Sequence, residues 1–244
     1  MKTEKFTLRA HDWLHSSEGK KWFNEKHFAE SAPRYDLATR LLSLGQDMGW
    51  KRRLVASLPA IPDPVCVDVA CGTGDVVFLL AQRYREGSFT GVDLTREMIE
   101  LAKGRNRDAR VRFHCGEMSR LGMPDQSVDV LTGSYAIRNA PDLGEALAEF
   151  HRVLRPGGTL ALLDFSKPRS AILQRIQFLL LGFWGGLWGL VLHGNPEVHG
   201  YISKSLRSFP DAESLERKFV ECGFELVEAR RHFGGMMMQY LLRA

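Results

Sequence analysis

Val65-Cys66-Val67-Asp68-Val69-Ala70-Cys71-Gly72-Thr73-Gly74-Asp75 is an apolar strand that runs into a turn with two glycines. An amphipathic helix follows, and a second strand, Phe89-Thr90-Gly91-Val92-Asp93-Leu94, ends in an acid about twenty residues on. These residue types hold a nucleoside. Glycine lets the backbone approach a ligand closely, and an acid at the next strand end can accept from both ribose hydroxyls. A dinucleotide fits poorly, because its fingerprint needs a third glycine where Val77 stands. Asp68 and Asp75 flank the turn and would repel a pyrophosphate. A cationic nucleoside suits the same acids. S-adenosylmethionine (SAM) carries a ribose, an ammonium and a sulfonium and no phosphate, so the residues point to a SAM pocket. The plainer alternative is an ordinary tightly packed strand–turn–helix.

Within that pocket Asp68 binds the ammonium, directly or through water, or else caps the turn. Ala70, Gly72 and Gly74 give backbone access. Asp93 takes the ribose if Thr95 caps the next helix in its place. Leu94 and Met98 line the ribose or adenine side, and Met118 offers soft contact to the ring. Ser134 to Asn139 follows the fourth strand, at the rim where open α/β sheets bind ligands.

The elements that position these residues alternate. Strands are expected at 65–70, 88–93, 110–114, 128–134 and 159–165, with helices at 75–85, 96–104 and 142–154, which argues a parallel sheet covered on both faces. Residues up to about 60 read as helices, Trp22 to Phe28 and Tyr35 to Ser57, closed by Pro59, Pro62 and Pro64. Lys167 to Pro210 interrupts the alternation. A helix at 211–222 and strands at 224–231 and 236–243 follow, and two closing strands in sequence imply a hairpin with one antiparallel strand. The chain therefore reads as a single domain, 1–244, with a helical cap over 1–60 and an apolar insert over 167–210.

Size and composition suit a soluble α/β domain. The net charge of +4 is mild and predicts no nucleic-acid partner. Cys66, Cys71, Cys115 and Cys222 form no CxxC pair and no metal-ligand cluster, so no metal is expected. Three of these lie in or beside strands and read as small buried thiols, which suits a reducing cytoplasm. The N-terminus is charged and aromatic, without an apolar run of signal-peptide type.

Several segments resemble the family that C-methylates ubiquinone and menaquinone precursors, within the seven-stranded, Rossmann-like SAM-dependent methyltransferase fold. Tyr35-Asp36, Leu42-Ser43 and Trp50 are similar to its N-terminal signature. Ile137-Arg138-Asn139 resembles its strand-four motif. Arg152 to Gly158 and Asp164-Phe165-Ser166-Lys167-Pro168 resemble its strand-five region. Tyr201, Ser205, Phe209-Pro210 and Gly223-Phe224 resemble its C-terminal portion. The likeness spans roughly 28 to 243. The chain departs from the signature at Ala38 and Thr39, where Met-Asn is usual, and at Asp47, where a histidine is usual; these changes fall where the acceptor is covered.

The resemblance implies a SAM-dependent C-methyltransferase of a prenylated quinol or related aromatic. Alternatives are an O- or N-methyltransferase of a small secondary metabolite and a SAM-binding scaffold of a biosynthetic complex. It also implies that Glu117 receives the adenine amino group, unless it is a solvated loop acid. Arg138 and Asn139 are the expected catalytic pair. Arginine stays protonated, so it would lower the pKa of a phenolic hydroxyl or orient a water; the competing role is an ion pair with Asp142. Asn139 orients the same hydroxyl or caps the next helix. Tyr35, Trp184, Trp188 and Tyr201 are expected to bind the acceptor, and Asp36, His193 and His199 are lesser candidates for proton handling. Phe178 to Leu192 carries no charge and reads as a lid or access groove for an isoprenoid tail, dipping into the bilayer interface where Trp is favoured, or as a helix buried against the domain or a homodimer partner. It is short for a membrane span, and its glycines argue against a regular exposed helix. The expected location is cytoplasmic, with peripheral membrane contact.

Overall fold

The first strand of the sheet, β1 (Val65–Val69), is buried on both faces, and its alternate side chains serve two different cores. Val67 and Val69 face one apolar layer and Cys66 the other, as the two-residue period of a strand requires. A computed structural model describes residues 16–244. The expectations for the extreme N-terminus, including the first part of the helical cap, fall outside the described residues.

Seven strands form one sheet in the order β3-β2-β1-β4-β5-β7-β6. β2 (Ser88–Asp93), β3 (Val111–Cys115), β4 (Val128–Ser134) and β5 (Leu154–Phe165) run parallel to β1. β6 (Glu225–His232) and β7 (Met237–Arg243) form the expected hairpin, and β7 enters antiparallel between β5 and β6. One face is covered by α3 (Asp47–Ala56), α4 (Asp75–Arg83) and α5 (Arg96–Arg105). The other is covered by α6 (Leu143–Val153) and α9 (Ala212–Glu221). Strand order reverses between β1 and β4, which opens a crevice at their C-terminal ends.

Several elements differ from expectation for identifiable reasons. The single helix expected over 35–57 is two, α2 (Tyr35–Leu42) and α3, because Leu44 and Gly45 both take positive φ between them. Ser43 Oγ then accepts the Asp47 N–H at 3.2 Å and starts α3. β5 begins earlier than 159, since Leu154 pairs with Val128 before an irregularity that precedes the Thr159–Val130 pair. Cys115 is exposed because β3 is an edge strand, whereas Cys66 and Cys71 are buried.

The interrupting segment is a helix pair. α7 (Ala171–His193) is one continuous helix, capped by Ser170 and ended by Gly194 at φ 69°. The glycines that argued against a regular helix instead let it approach α8 (Glu197–Ser208). A Cβ on Gly185 would stand 2.6 Å from the His199 carbonyl oxygen, and one on Gly189 would stand 2.7 Å from that of Asn195. Gly186 faces open contact, with Pro196 Cβ at 3.8 Å. Alanine gains about 1 kcal/mol of helix propensity over glycine, while overpacking costs about 1–3 kcal/mol. Gly185→Ala should therefore lower the urea midpoint and Gly186→Ala should hold or raise it; equal effects would contradict this packing.

Candidate active site

The glycine turn is built by hydrogen bonds that leave the rim open. Cys71 N–H reaches the Val92 carbonyl at 3.1 Å and Gly74 N–H reaches the Cys71 carbonyl at 3.0 Å. Gly74 stands at φ 93°, where a Cβ would meet the Phe113 ring at 2.8 Å. Its role is thus turn and packing, and it does not line the cleft. Gly72, at φ 54°, does line it, as does Ala70 at φ 50°. Together with the solvent at its open mouth, the cleft spans about 720 Å³.

Asp93 is buried and closes the turn. Its Oδ2 accepts the Gly72 N–H and its Oδ1 the Thr95 N–H, each at 2.8 Å. Thr95 is the N-cap residue of α5 but makes no side-chain cap, so the capping expected of its hydroxyl is absent, while Asp93 holds the Thr95 N–H and still faces the cleft. An ionised carboxylate offers about four lone-pair sites, so acceptor capacity remains for a ribose hydroxyl beside the donors of Gly72 and Thr95. Burial pushes the Asp93 carboxyl up, and the N–H groups of Thr95 and Gly72 oppose that shift.

Leu94, Met98, Glu117, Met118 and Ser134 all line the same cleft. Ser134 Oγ is buried without a hydrogen-bond partner among the described residues, so a polar ligand atom has a place to bind. Glu117 forms an ion pair with Lys21 of α1 (Ser17–Ser31) across the mouth, with both side chains partly exposed. Asp68 lies below the cleft without lining it, and accepts the Thr132 hydroxyl at 2.6 Å. Asp75 is neutralised by Lys51 at 3.1 Å and Arg105 at 2.6 Å, so the acid field at the turn is weaker than the bare sequence suggests.

A second pocket adjoins the first. Phe28, Tyr35, Tyr135 and Asn139 line both and form the wall between them. Tyr135 takes φ 58°, a strained value for an aromatic residue, and its hydroxyl is anchored on Asp47 at 2.8 Å. Asp47 also holds Lys51 at 2.8 Å, which gives this departure from the family signature a structural task. Thr39, another departure, lines the second pocket.

Arg138 is 3 % exposed and lines this second pocket. Its partner is Asp164, not Asp142: Nε lies 3.5 Å from Asp164 Oδ1 and the backbone N–H donates to Oδ2 at 3.0 Å. Asp142 instead caps α6. The guanidinium also donates to Ser205 and sits 5.5 Å from both the Phe165 and Tyr201 ring centres. Burial opposes its charge, but Tyr201 and Asp164 outweigh that and raise its pKa. Burial raises Asp164 as well, against the pull of Arg138 and two backbone N–H groups; we take the pair as ionic because those donors all favour the carboxylate. Asn139 does not cap a helix. Its Nδ2 donates to the Tyr135 carbonyl at 3.0 Å and its Oδ1 faces the Tyr201 hydroxyl at 3.4 Å.

Tyr35, Tyr201 and His199 line the second pocket, whereas Trp184, Trp188 and His193 do not. Trp184 packs toward α2, donating to the Leu41 carbonyl at 3.3 Å, and Trp188 meets it edge-on. Asp36 accepts the Thr73 hydroxyl at 2.6 Å and serves as a latch on the turn. The sequence reading missed the contribution of α1. Lys20 reaches the Ala140 carbonyl at 2.6 Å and Asn24 the Asn139 carbonyl at 2.7 Å, which lays Lys21, Asn24, His27 and Phe28 over the pockets. The helix was legible at Trp22 to Phe28, but no local motif showed which rim it would cover.

A model of the ubiE/COQ5 methyltransferase family matches residues 16–241. The chain belongs to that family. A relative from Deinococcus radiodurans, named demethylmenaquinone methyltransferase, is 37% identical over 82% of this chain and 84% of its own length. One of the same name from Thermus thermophilus is 36% identical over 82% of this chain and 91% of its own. Among solved structures, a Haloferax volcanii methyltransferase in complex with the Trm112 activator shares the fold at a TM-score of 0.66 and 18% identity, covering 89% of this chain and 97% of that one. A SAM-dependent methyltransferase of Thermotoga maritima does so at 0.62 and 20%, covering 91% and 99%. This ubiE/COQ5 family member is a SAM-dependent methyltransferase, and the open lone pairs of Asp93 and the unpartnered Ser134 Oγ fit that cofactor.

Burial pushes Asp68 of this methyltransferase up to about 7 from an ordinary 3.8, with Thr132 and Lys51 pulling the other way. Between those values the folded chain keeps a proton that the unfolded chain has lost. Stability from this group therefore falls as pH rises through the window and levels off above it. Asp68→Asn should raise the melting temperature of the ligand-free protein at pH 8, with a gain that shrinks toward pH 4. A gain that does not vary with pH would refute this reading.

Proposed function

We propose that this methyltransferase alkylates a ring carbon of a prenylated quinol. The observation that carries the reading is Arg138: a buried cation, flanked by two aromatic rings, in a pocket that shares a wall with the cofactor cleft. The Deinococcus and Thermus relatives bear the name demethylmenaquinone methyltransferase, which is consistent with it. When bound, SAM supplies an electrophilic methyl that needs no further activation by the protein.

The protein's own task is to make the acceptor nucleophilic and to align it. Arg138 lowers the pKa of the acceptor hydroxyl, whose proton passes to water at the pocket mouth, and stabilises the resulting oxyanion, which loads electron density onto the neighbouring ring carbons; the proton of the methylated carbon then leaves to water and restores the aromatic ring. Phe165, Tyr201 and Phe28 hold the ring flat and exclude water. Tyr35 and Tyr135 stand in the shared wall, and burial raises both phenols, so they stay protonated and do not compete as nucleophiles. Asp93, Gly72, Ser134 and Met118 hold the donor. The chain acts as one domain, in which α1, α2 and the 167–210 segment cover the acceptor.

Incubation with labelled SAM and a panel of demethylated quinols, short-tailed phenols and amines, followed by product mass analysis, tests this. Methyl on ring carbon is expected. Methyl on oxygen or nitrogen would support a small-metabolite enzyme, and cofactor binding without any transfer would support a scaffold. Asp93→Ala should weaken SAM binding about tenfold or more, because it removes a charged acceptor. Arg138→Ala should instead lower kcat/KM about a hundredfold with SAM affinity unchanged. Equal loss of SAM affinity in both variants would contradict the division of roles.

The same reading places the protein at the cytoplasmic membrane surface. α7 is long and apolar enough to cross a bilayer, and 17% of its most apolar window is buried. Its inner side is packed on α8, so it suits the interface better than a span. Ile172, Leu179, Phe183, Leu190 and Val191 are exposed along it, Arg175 is its one charge, and Arg207 lies over the Phe178 ring beside it, so these two arginines are the partners for anionic headgroups, Arg169 being paired with Glu213 at 3.0 Å. The protein is expected to float with vesicles of phosphatidylglycerol and phosphatidylcholine, and the doubly substituted Leu179→Asp, Phe183→Asp protein to stay behind with SAM affinity intact. Flotation of neither or of both would remove the membrane contact. A change in sedimentation alone would point to a homodimer face.

A further inference from the structure

The second pocket has polar groups besides Arg138 and Asn139. His199 of α8 lines it, is 5 % exposed, and carries an Nε2 that is buried without a hydrogen-bond partner among the described residues. Trp188 Nε1 and His193 Nε2 are also buried and unpartnered, but neither residue lines the pocket, and Arg138 Nε is held 3.5 Å from Asp164 Oδ1, so among the described residues His199 is the neutral pocket group whose buried polar atom has no partner. Such an atom is a cost in the empty protein that a ligand oxygen relieves.

His27 completes this region. Its ring lies 4.3 Å from that of Tyr201, stacks on Phe23 at 5.4 Å, and lines the same pocket. Burial holds both imidazoles neutral: His27 is pushed down to about 3, with His199 and Arg138 adding to the effect, and His199 to about 4, with His193 adding. A neutral imidazole has one donor and one acceptor nitrogen, and a hydroxyl satisfies either. A second cation here would be repelled by Arg138, and a second carboxylate would find no charge to meet it.

The placement is selective. Asn139 belongs to the wall shared with the cofactor cleft, whereas His199 and Arg138 line the acceptor pocket alone. A ring whose reacting carbon faces the shared wall, with one oxygen on Arg138, directs a second, para oxygen to the far side of the ring. We infer that His199 Nε2 binds this second oxygen, so that the pocket selects 1,4-dioxygenated rings over monophenols. The inference rests on the second pocket being the acceptor site, and it names the group that reads the remote oxygen.

Calorimetric titration of the protein with S-adenosylhomocysteine in place tests it, using naphthalene-1,4-diol and 1-naphthol under anaerobic conditions. The diol should bind about tenfold more tightly, the usual scale of one buried hydrogen bond. His199→Phe should bring the ratio close to one without weakening 1-naphthol. A ratio of one in the unaltered protein, or a preference that survives in His199→Phe, would overturn the inference. Unaltered protein with 15N-labelled histidine provides a readout that needs no variant: the His199 Nε2 resonance should move with the diol and stay put with 1-naphthol, and identical responses to both would also overturn it. Both readouts are of binding. A protein that binds the diol through His199 yet methylates no ring carbon would sink the quinol reading and leave this one standing.

Discussion

A buried ion pair ties the sheet to its cover. Asp164 ends β5, Arg138 follows β4, and the guanidinium reaches Ser205 and Tyr201 on α8. Taking two charges out of water costs several kcal/mol per ion, and apolar replacements of buried pairs are often neutral or stabilising. The pair is therefore poorly explained as a device for stability, and Arg138 Nε has no well-formed hydrogen bond. The proposed oxyanion role explains it better: the cation is already desolvated, and Asp164 fixes its position before an acceptor would arrive.

The cover is recruited by polar contacts to the same rim. Lys20 and Asn24 of α1 bind the carbonyls of Ala140 and Asn139, immediately after Arg138. The short β4–α6 segment thus serves the cofactor cleft, the acceptor pocket and the N-terminal helix at once. Burial lowers the Lys20 pKa to about 8, with Arg138 adding to the effect, so the rim carries its positive charges under some strain. On the opposite side, the glycine face of α7 brings α8 close enough for His199, Tyr201 and Ile202 to roof the acceptor pocket. Two cavities with one common wall follow from these contacts, and a common wall is what direct transfer between two ligands requires.

Motifs that act through their own backbone were readable in the chain. Gly72 and Asp93 stand where a strand end and a turn put them, because both depend on residues adjacent in sequence or on one parallel neighbour. The closing hairpin was legible for the same reason. Partners chosen across the fold were not. Nothing near Arg138 in sequence announces Asp164, 26 residues away, over the nearby Asp142. Glu117 meets Lys21 from a helix nearly a hundred positions earlier. Trp184 and Trp188 looked like acceptor contacts because they are large and aromatic, yet the helical period turns them toward α2 and each other.

The sequence by itself determined the strand–helix alternation, the glycine turn, the ribose-type acid and the family, since each is encoded by local pattern and spacing. Only the tertiary structure decided which charges are neutralised, which polar atoms are left without partners, and which face of each covering helix meets a pocket. Those are properties of desolvation and long-range packing, and they depend on residues that the chain brings together only when it closes.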